Sequence, residues 1–415
     1  MTRHIINSLK LARPRSFQSW YLHNIRKEVT VMDFELTPEQ QKVQSLARRF
    51  AQQELAPLAP IARVQGEFPP YLVKRMGDLG FLAGPVEKHY GGSGMDLVSY
   101  VLLSEELGRV DSSVREFLTA QASMVSLSIQ QWGSKEQKRR YLPRLASGEW
   151  IGCYALTEPD ARFDITDITT TATKDGTSYL LQGEKVWITN GLNAHVAIVI
   201  ARRERNIRHK GICAFLIETN SPGFHRAPMA EEAGYRALEH AYIKLDACRV
   251  SEKTLLGAPR NGFQVAISAL ENGRLSAAAG AVGIGQACLD ACVTFLRQQP
   301  LPEPRLADSE MIQATIANMA ADIAAARLLT YYAAWLKDQG ETATQAISIA
   351  KLFASAAAMK TASEAVLLHR NRDYSGQFLV ERYYQDIKAL QSYEDSNQTQ
   401  SIAIARDLLG TGGSK

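Results

Sequence analysis

The sequence predicts a three-part α+β fold in which a β domain lies between two helical domains. Three changes of pattern along the 415 residues support this prediction. Apolar residues recur at three- and four-residue spacing over residues 36–148, as in VQSLARRFAQQELAPLA, which is typical of amphipathic helices. Residues 150–256 carry short β-type runs, and helical spacing returns over residues 262–409.

These changes divide the chain into four segments. We expect a basic leader over residues 1–31 and an N-terminal helical domain over residues 32–149. A middle antiparallel β domain over residues 150–257 and a C-terminal four-helix bundle over residues 258–415 complete the prediction. At roughly 100–200 residues per domain, a chain of this length can build two or three well-buried cores.

The N-terminal helical domain begins with a start signal and contains two breaks. In TPEQ, residues 37–40, a capping residue precedes a proline at the first helical position. The breaks are the two prolines of residues 69–70 and the GGSG run of residues 91–94. Because that glycine-rich run follows no predicted strand, we interpret it as an interhelical turn rather than a phosphate-binding loop.

The middle domain consists of short runs rich in β-branched and aromatic residues. The runs are WIGCYAL, TTTATKDGTSYLLQGEKVWIT, HVAIVIARR, GICAFLIE and HAYIKLDACRV. Turn signals such as KDG at residues 174–176 and SPG at residues 221–223 separate them. This arrangement predicts one antiparallel sheet or a small barrel.

The C-terminal segment contains long alanine-rich helical stretches such as IQATIANMAADIAAARLLTYYAAWL. Small side chains allow helices to approach closely, as in a four-helix bundle. The run GAVGIGQA, residues 280–287, superficially resembles a dinucleotide-binding glycine loop. It lies inside an apolar helical stretch and follows a helix rather than a strand, so we interpret it as part of a helix and not as a dinucleotide-binding loop.

The net charge of +4 comes from the leader. Residues 1–31 hold six Lys and Arg and one acid, whereas the rest of the chain holds 41 basic and 42 acidic residues. A neutral body gives no indication of nucleic-acid binding, and no apolar run reaches the ~18 residues of a membrane span.

The leader is an over-extended start before Met32, a transit peptide or a real extension. We expect a cytoplasmic protein, or a mitochondrial matrix protein if the leader is a transit peptide.

The cysteines and histidines give no sign of a disulfide framework or a metal site. Five cysteines contain no CxxC pair, and eight histidines form no HExxH motif. We therefore expect free thiols in a reducing compartment and no bound metal.

A few positions carry side chains that could do chemistry. Glu394 lies between two helical stretches, where a loop could bury a carboxylate and raise its proton affinity; a solvated loop acid is the alternative. Arg274 begins an apolar helical run, where an interface ion pair is the commoner role. Trp187 and Thr189 end a β run and could stack on and hydrogen-bond a planar cofactor, or belong to the core.

Taken together, residues 32–410 resemble the acyl-CoA dehydrogenase family. Colinear motifs carry the likeness, namely MDFELTPEQQ, EKHYGGSG, EELGRVDSS, GSKEQKRRYLPRLASGE, LTEPDA, GEKVWITNG, ENGRLSAAAGAVGIGQA, AKLFASAAA and VERYYQD. SYEDS, residues 392–396, occupies the place of the family's YEGTS loop.

The resemblance implies α,β-dehydrogenation of an acyl-CoA or acyl-carrier-protein thioester. In the family a carboxylate takes the α-proton while the β-hydride passes to N5 of FAD, and hydrogen bonds to the thioester carbonyl stabilise the enolate-like charge. The resemblance also implies a flavoprotein as the electron acceptor. The expected assembly is a homo-oligomer or a heteromer with a related subunit.

The family's functional residues carry over position by position. Glu394 matches the catalytic base, and its backbone N–H would help to hold the thioester carbonyl. Arg274 matches an arginine near the bound thioester; in some branches the base directly precedes that arginine, where this chain has Gly273. The positions that match cofactor contacts are Tyr154, Leu156, Thr157, Trp187, Thr189, Ser396 and Gln398.

Several motifs depart from the family pattern. Residues 299–303 lack the arginine and phenylalanine of RxxFG, and residues 367–373 lack the glycines of QxxGGxG, where the backbone must approach the ADP half of FAD. Residues 162–164, RFD, replace GSD, and Asp395 places a negative charge where the family has glycine, beside the developing enolate.

These departures leave three alternatives. The chain is a working dehydrogenase with a divergent adenine pocket, or a subunit of a heteromeric dehydrogenase that shares its FAD site with a partner. In the third alternative it is a flavin-free acyl-binding or structural homologue.

Overall fold

The computed structural model describes residues 35–159, 165–203, 209–229, 234–298, 306–369 and 379–411. The chain comprises two compact units, Met1–Thr37 and Pro38–Lys415. The leader predicted over residues 1–31 lies outside the described residues. All the helices and strands named here belong to the second unit.

The N-terminal part is helical, as the apolar spacing predicts. Its helices are α1 (Pro38–Phe50), α2 (Ala59–Gln65), α3 (Tyr71–Asp78), α4 (Leu97–Gly108), α5 (Ser112–Leu118), α6 (Leu127–Trp132) and α7 (Lys135–Ser147). Helix α1 begins at the predicted proline. A π-helical segment, Thr119–Ser126, joins α5 to α6, and the GGSG run lies in the turn between α3 and α4, as predicted.

The middle part is one seven-stranded sheet. Its strands are β1 (Gly152–Ala155), β2 (Thr171–Asp175), β3 (Ser178–Thr189), β4 (Val196–Arg202), β5 (Ile212–Glu218), β6 (Phe224–Pro228) and β7 (His240–Ser251). They follow the order β1-β4-β2-β3-β7-β6, and β5 pairs with β4. Most pairs are antiparallel, as predicted, but β1 and β2 each pair with β4 in parallel. The chain between β1 and β4, which includes β2 and β3, supplies the long crossover that a parallel pair needs.

The C-terminal part is a helical bundle, as predicted. Its helices are α8 (Gly262–Arg297), α9 (Glu310–Asp338), α10 (Thr344–His369), α11 (Leu379–Leu390) and α12 (Asn397–Leu408). Helices α8, α9 and α10 pack against one another, and α10 also contacts α11 and α12. Helix α8 is long and apolar enough to cross a membrane, but 61% of its most apolar window is buried inside the fold. It is therefore the core helix of the bundle.

The glycines of the GAVGIGQA run pack α8 against α4. A Cβ atom added to Gly108 of α4 would lie 2.9 Å from the Cα atom of Gly280. The two helices therefore cross glycine to glycine, and the run is helical, as predicted. All five cysteines are buried.

Two apolar cores meet at strand β1. One lies between the sheet and the helices and includes Val125, Ile198 and Leu270. The other lies within the curled sheet and includes Phe215. Because side chains alternate along a strand, Tyr154 points toward the helices while its neighbours point into the sheet.

Candidate active site

Glu394 lies in the short loop between α11 and α12. Its φ angle is +53° and that of Asp395 is +72°, so two consecutive residues adopt the left-handed conformation. Residues other than glycine adopt this conformation at a cost, although aspartate tolerates it better than most. The glycine that the family places at position 395 suits this backbone, and aspartate keeps the loop shape with a charged side chain.

Glu394 is half-buried, and one oxygen of its carboxylate is shielded from solvent. Its Oε2 atom is buried and has no hydrogen-bond partner among the described residues. The carboxylate packs against α8 at Gly273, where an added Cβ atom would lie 2.8 Å from Oε1 and closer still to Oε2. A glycine at position 273 therefore makes the room that the carboxylate occupies.

Burial raises the pKa of Glu394 to about 8, and the charges of Glu116 and Asp395 raise it too. The charges of Arg274 and Arg115 lower the pKa of Glu394 in part. The carboxyl group is therefore not a solvated loop acid. It has the proton affinity of a usable general base near neutral pH.

Arg274 is buried on α8 and forms an ion pair with the carboxylate of Asp395. The negative charge that sequence comparison places beside the base is therefore neutralised in part by this arginine. The pair also joins the Glu394 loop to α8, because Arg274 directly follows Gly273 along that helix.

A buried ion pair that sequence analysis missed lies near Glu394. Arg115 and Glu116 of α5 are fully buried, with Nη1 of Arg115 2.6 Å from Oε2 of Glu116. Nη1 of Arg115 also donates to Thr119 Oγ1 at 3.1 Å, and Nη2 donates to the hydroxyl of Tyr235 at 3.0 Å. The available signal was an adjacent pair of charges within the otherwise apolar run VREFLTAQASMVS.

Aromatic side chains connect the Glu394 loop to the end of strand β7. The hydroxyl of Tyr393 lies 2.8 Å from Nε2 of His240, and the ring of Tyr393 lies 4.9 Å from that of Tyr235. Burial lowers the pKa of His240 to about 4, so the imidazole is neutral at pH 7. The ring of His240 in turn lies 6.4 Å from that of Trp187. The predicted aromatic and the predicted base therefore belong to one site.

Trp187 owes its orientation to a β-bulge. The register between β3 and β7 shifts between residues 185 and 188, and Trp187 adopts a φ angle of +58°. Bulges commonly re-aim side chains beside functional sites. The side chain is 45% exposed, so Trp187 is not the core aromatic that was the alternative.

The residues near Trp187 leave an open face on the middle domain. Thr189 ends β3 and is half-buried, while Leu156 and Thr157 follow β1 and are half-buried and exposed, respectively. The backbone carbonyl of Thr157 accepts a hydrogen bond of 3.0 Å from the N–H of Val186 next to the bulge. An indole, a hydroxyl and exposed backbone on one face could accept a planar ligand.

Tyr154 connects this face to the base. Its hydroxyl is buried without a hydrogen-bond partner among the described residues. Burial raises the pKa of Tyr154, and the charge of Glu394 raises it too, which places the two side chains near each other. A buried hydroxyl and a buried carboxylate oxygen that both lack protein partners are expected where a ligand supplies them.

The strained backbone of the described chain is concentrated here. Six described residues other than glycine have a positive φ angle, and five of them surround this site: Trp187, Asn190, Tyr235, Glu394 and Asp395. Such strain persists only where the surrounding structure enforces it, and it clusters at functional sites.

The remaining predicted residues are less closely tied to the site. Ser396 caps α12 by accepting a hydrogen bond of 3.2 Å from the N–H of Thr399, and Gln398 is exposed in the first turn of that helix. The departures at residues 162–164, 299–303 and 370–373 lie outside the described residues. Within the described ranges, no group of three or more His, Cys, Asp or Glu could hold a metal ion.

Three family models match the chain. They are the acyl-CoA dehydrogenase N-terminal domain over residues 37–149, the middle domain over residues 153–248 and the C-terminal domain over residues 260–409. Together they cover most of the chain in the order that the helical, β and helical parts occupy.

Curated relatives match over nearly their whole length. An acyl-CoA dehydrogenase of Bacillus subtilis is 38% identical over 90% of this chain and 99% of its own. The human mitochondrial short-chain specific acyl-CoA dehydrogenase is 35% identical over 95% of this chain and 94% of its own.

Solved structures are also similar to this chain over most of its length. Butyryl-CoA dehydrogenase from Megasphaera elsdenii is similar at a TM-score of 0.88 with 34% identity, over 91% of this chain and 100% of that one. A glutaryl-CoA dehydrogenase with glutaryl-CoA is similar at a TM-score of 0.87 with 34% identity, over 91% and 97%. Members of the family are FAD-binding oxidoreductases that act on CH–CH groups. As its sequence motifs predict, the chain belongs to the acyl-CoA dehydrogenase family.

Proposed function

We propose that this chain is an FAD-dependent dehydrogenase that forms a double bond between the α and β carbons of an acyl-CoA or acyl-carrier-protein thioester. Glu394 is the base that takes the α-proton. One observation carries the proposal: Oε2 of Glu394 is buried without a hydrogen-bond partner among the described residues, and the pKa of the carboxyl group is raised to about 8. A carboxylate of that kind takes a proton from carbon far better than a solvated one.

The neighbours of Glu394 support a proton-transfer role. Gly273 leaves the carboxylate room, and the ion pair of Arg274 with Asp395 ties the loop to α8. The α C–H bond breaks as the proton passes to Glu394, and negative charge develops on the thioester carbonyl oxygen. The backbone N–H of Glu394 is the donor that we propose for that oxygen.

The middle-domain face supports FAD as the cofactor. Trp187 is exposed at a bulge, Leu156, Thr157 and Thr189 lie close by, and the buried hydroxyl of Tyr154 lacks a protein partner within the described residues. These residues suit a planar, polar ring system, and we propose that they hold the isoalloxazine. When bound, FAD supplies the acceptor for the β-hydride.

The side chains beyond Glu394 support a short acyl group. The buried pair of Arg115 and Glu116 lies near Glu394, and we propose that it forms part of the wall facing an acyl group whose α carbon reaches Glu394. A polar wall of this kind offers an extended apolar chain little favourable burial. Several relatives at 34–35% identity are themselves short-chain specific acyl-CoA dehydrogenases.

The assembly and the electron acceptor are also proposals. We favour a homo-oligomer; the heteromer with a related subunit is the alternative, because residues 299–303 and 367–373 depart from the motifs that hold the ADP half of FAD. An electron-transferring flavoprotein is the acceptor that we propose. One chain that is similar at a TM-score of 0.89 and 35% identity comes from a structure of the electron-transferring flavoprotein of Acidaminococcus fermentans. The cytoplasmic location stays a prediction.

The test begins with an absorbance spectrum of the purified chain after FAD is added and the excess removed. Anaerobic addition of butyryl-CoA should then bleach the flavin of the native chain. Glu394→Gln should stay yellow and unbleached, because its amide cannot take the proton. A general base contributes roughly 100- to 10,000-fold to the rate, so the loss should be of that order.

Each other outcome assigns the chain differently. A yellow native chain that is bleached neither by any thioester from butyryl- to palmitoyl-CoA nor by the same acyl groups on an acyl-carrier protein would overturn the dehydrogenase. A chain that becomes yellow only when co-expressed with a related subunit would establish the heteromer. A chain that stays colourless in both cases would establish the flavin-free homologue.

A further inference from the structure

We infer that Lys351 is a positioning residue that holds the loop carrying Glu394 in its productive shape. The inference rests on the proposed function, because it concerns how the proposed base is held. Lys351 lies on α10, and its side chain is fully buried, which is rare for lysine unless its charge is well paired.

The ammonium group of Lys351 is bound by three acceptors from one stretch of chain. It donates to the carbonyl of Asp395 at 2.6 Å, to the carbonyl of Gln391 at 3.2 Å and to Oδ1 of Asn397 at 3.0 Å. An ammonium group has three N–H donors, so all three are used. The two carbonyls lie on either side of Glu394 in the sequence, and the contacts therefore bracket the base.

The backbone of this loop needs such support. Glu394 and Asp395 both have positive φ angles, and a backbone of this kind relaxes unless its surroundings enforce it. Removing the ammonium would leave two carbonyls facing a buried apolar side chain, which is unfavourable. The loop would then shift to reach other donors, and the carboxylate of Glu394 would move with it.

A second residue of α10 supports the same end of the loop. The hydroxyl of Ser355, one turn beyond Lys351, donates to Oδ1 of Asn397 at 3.0 Å. Arg274 of α8 binds the side chain of Asp395, whereas Lys351 binds its backbone. Two cations from two helices therefore hold different parts of the residue that follows the base.

Lys351 keeps its proton at neutral pH. Burial lowers its pKa to about 8, while the charges of Asp395 and Glu394 raise it and that of Arg274 lowers it. The three-donor ammonium that the contacts require is therefore the main form at pH 7. A neutral amine has only two donors and would lose one of them.

The test compares Lys351→Met, which keeps the length of the side chain and removes its donors, with Lys360→Met. Lys360 lies on the same helix, is exposed and pairs with Asp322 at 2.9 Å. Displacement of a reacting group by about 1 Å can cost about 100-fold in rate, so kcat of Lys351→Met should fall about 100-fold. KM and FAD content should stay within about threefold of native, and the absorbance spectrum of the bound flavin should be unchanged. Lys360→Met should match the native protein in kcat, KM, FAD content and spectrum.

A second readout follows proton transfer alone. An acyl-CoA whose β carbon is replaced by sulfur has no β-hydrogen to give up, so exchange of its α-hydrogens with D₂O reports only the proton moving to Glu394 and a deuteron returning. Exchange should be slowed about 100-fold in Lys351→Met and be lost in Glu394→Gln. Native protein that does not exchange would contradict the proposed base itself. Native protein that exchanges, together with Lys351→Met at the native rate, would overturn only the role of Lys351.

Asn397→Ala covers the case in which Lys351→Met does not fold. It removes one acceptor and leaves the ammonium paired with both carbonyls. The inference requires a smaller loss of exchange, about 3- to 10-fold, with an unchanged thermal midpoint. An exchange rate equal to native in Asn397→Ala, or a loss that only follows a fall in thermal midpoint, would count against the positioning role.

Discussion

The carboxylate of Glu394 occupies the space that a side chain at position 273 would fill. A Cβ atom at Gly273 would lie 2.8 Å from Oε1 of Glu394 and closer to Oε2. The two positions at which the family is expected to carry its base are therefore sterically coupled in this chain. With Glu394 in place, a carboxylate at 273 has no room, and Glu394 stands as the candidate base.

Gly273→Ala should destabilise the protein by about 1–3 kcal/mol, because an added methyl group in a filled site forces its neighbours to move. The same substitution in a Glu394→Ala background should cost much less, since the colliding carboxylate is gone. Urea unfolding of the four proteins measures both costs. Equal costs in the two backgrounds would show that the carboxylate does not occupy this space in solution.

The rate constant kcat/KM should rise with pH up to about 8 and fall at higher pH, because Lys351, whose pKa is also about 8, then loses the proton with which it holds the Glu394 loop. Burial raises the pKa of Glu394 to about 8, and the base acts only after its own proton has left. Asp395→Gly should move the midpoint of the rise to lower pH. The charge of Asp395 raises the pKa of Glu394, and Arg274, once released from its ion pair with Asp395, lowers that pKa further. A pH–rate profile of the two proteins is the measurement. A midpoint that stays in place, or one that moves upward, would contradict this account of the site.

Lys185→Met should cost about 3–5 kcal/mol of folding free energy, because it leaves Glu158 as an uncompensated buried charge. Nζ of Lys185 lies 2.8 Å from Oε1 of Glu158 and donates to the carbonyl of Leu156 at 2.9 Å, beneath the proposed flavin face. Lys174→Met is the control, since Lys174 forms an exposed pair with Glu252 and should cost at most about 1 kcal/mol. Guanidinium unfolding measures the folding free energy of both variants. A loss of folding free energy in Lys185→Met no larger than that in Lys174→Met would contradict the role of the Lys185–Glu158 pair.

Replacement of both Arg115 and Glu116 by leucine should shift the enzyme toward longer acyl groups. The polar wall would become apolar, and each methylene newly buried contributes about 0.8 kcal/mol, or about fourfold in kcat/KM. Removing both partners together avoids leaving one charge unpaired. The ratio of kcat/KM for octanoyl-CoA to that for butyryl-CoA is the readout. A ratio equal to native would place the acyl group elsewhere.

Much of the fold and the centre of the site follow from local pattern. Helix α1 begins at the predicted proline, and the GAVGIGQA run is helical as expected. Glu394 and Trp187 stand out in the sequence because motifs with fixed neighbours contain them. Their assignment to one site came from the family resemblance that those motifs carry, because the order of motifs along a chain does not by itself place two residues in space.

The supporting residues could not be predicted in this way. Lys351 and Arg115 lie in apolar helical runs, where a single charge reads as one exposed position on a helix face. Their roles depend on which helices pack together and on where the Glu394 loop lies, and neither is a local property. The space at Gly273 likewise becomes meaningful only once the carboxylate is seen against it.

The division of the site along the chain has a consequence during protein synthesis. The proposed flavin face comes from the middle domain, whereas Glu394 follows α11, much later in the chain. A ribosome-bound chain can therefore complete its helical and β domains, and even present the open face around Trp187, before the base has left the exit tunnel. A product that ends before residue 394 would keep the residues around Trp187 and lack the proposed base, so it could not take the α-proton of a thioester.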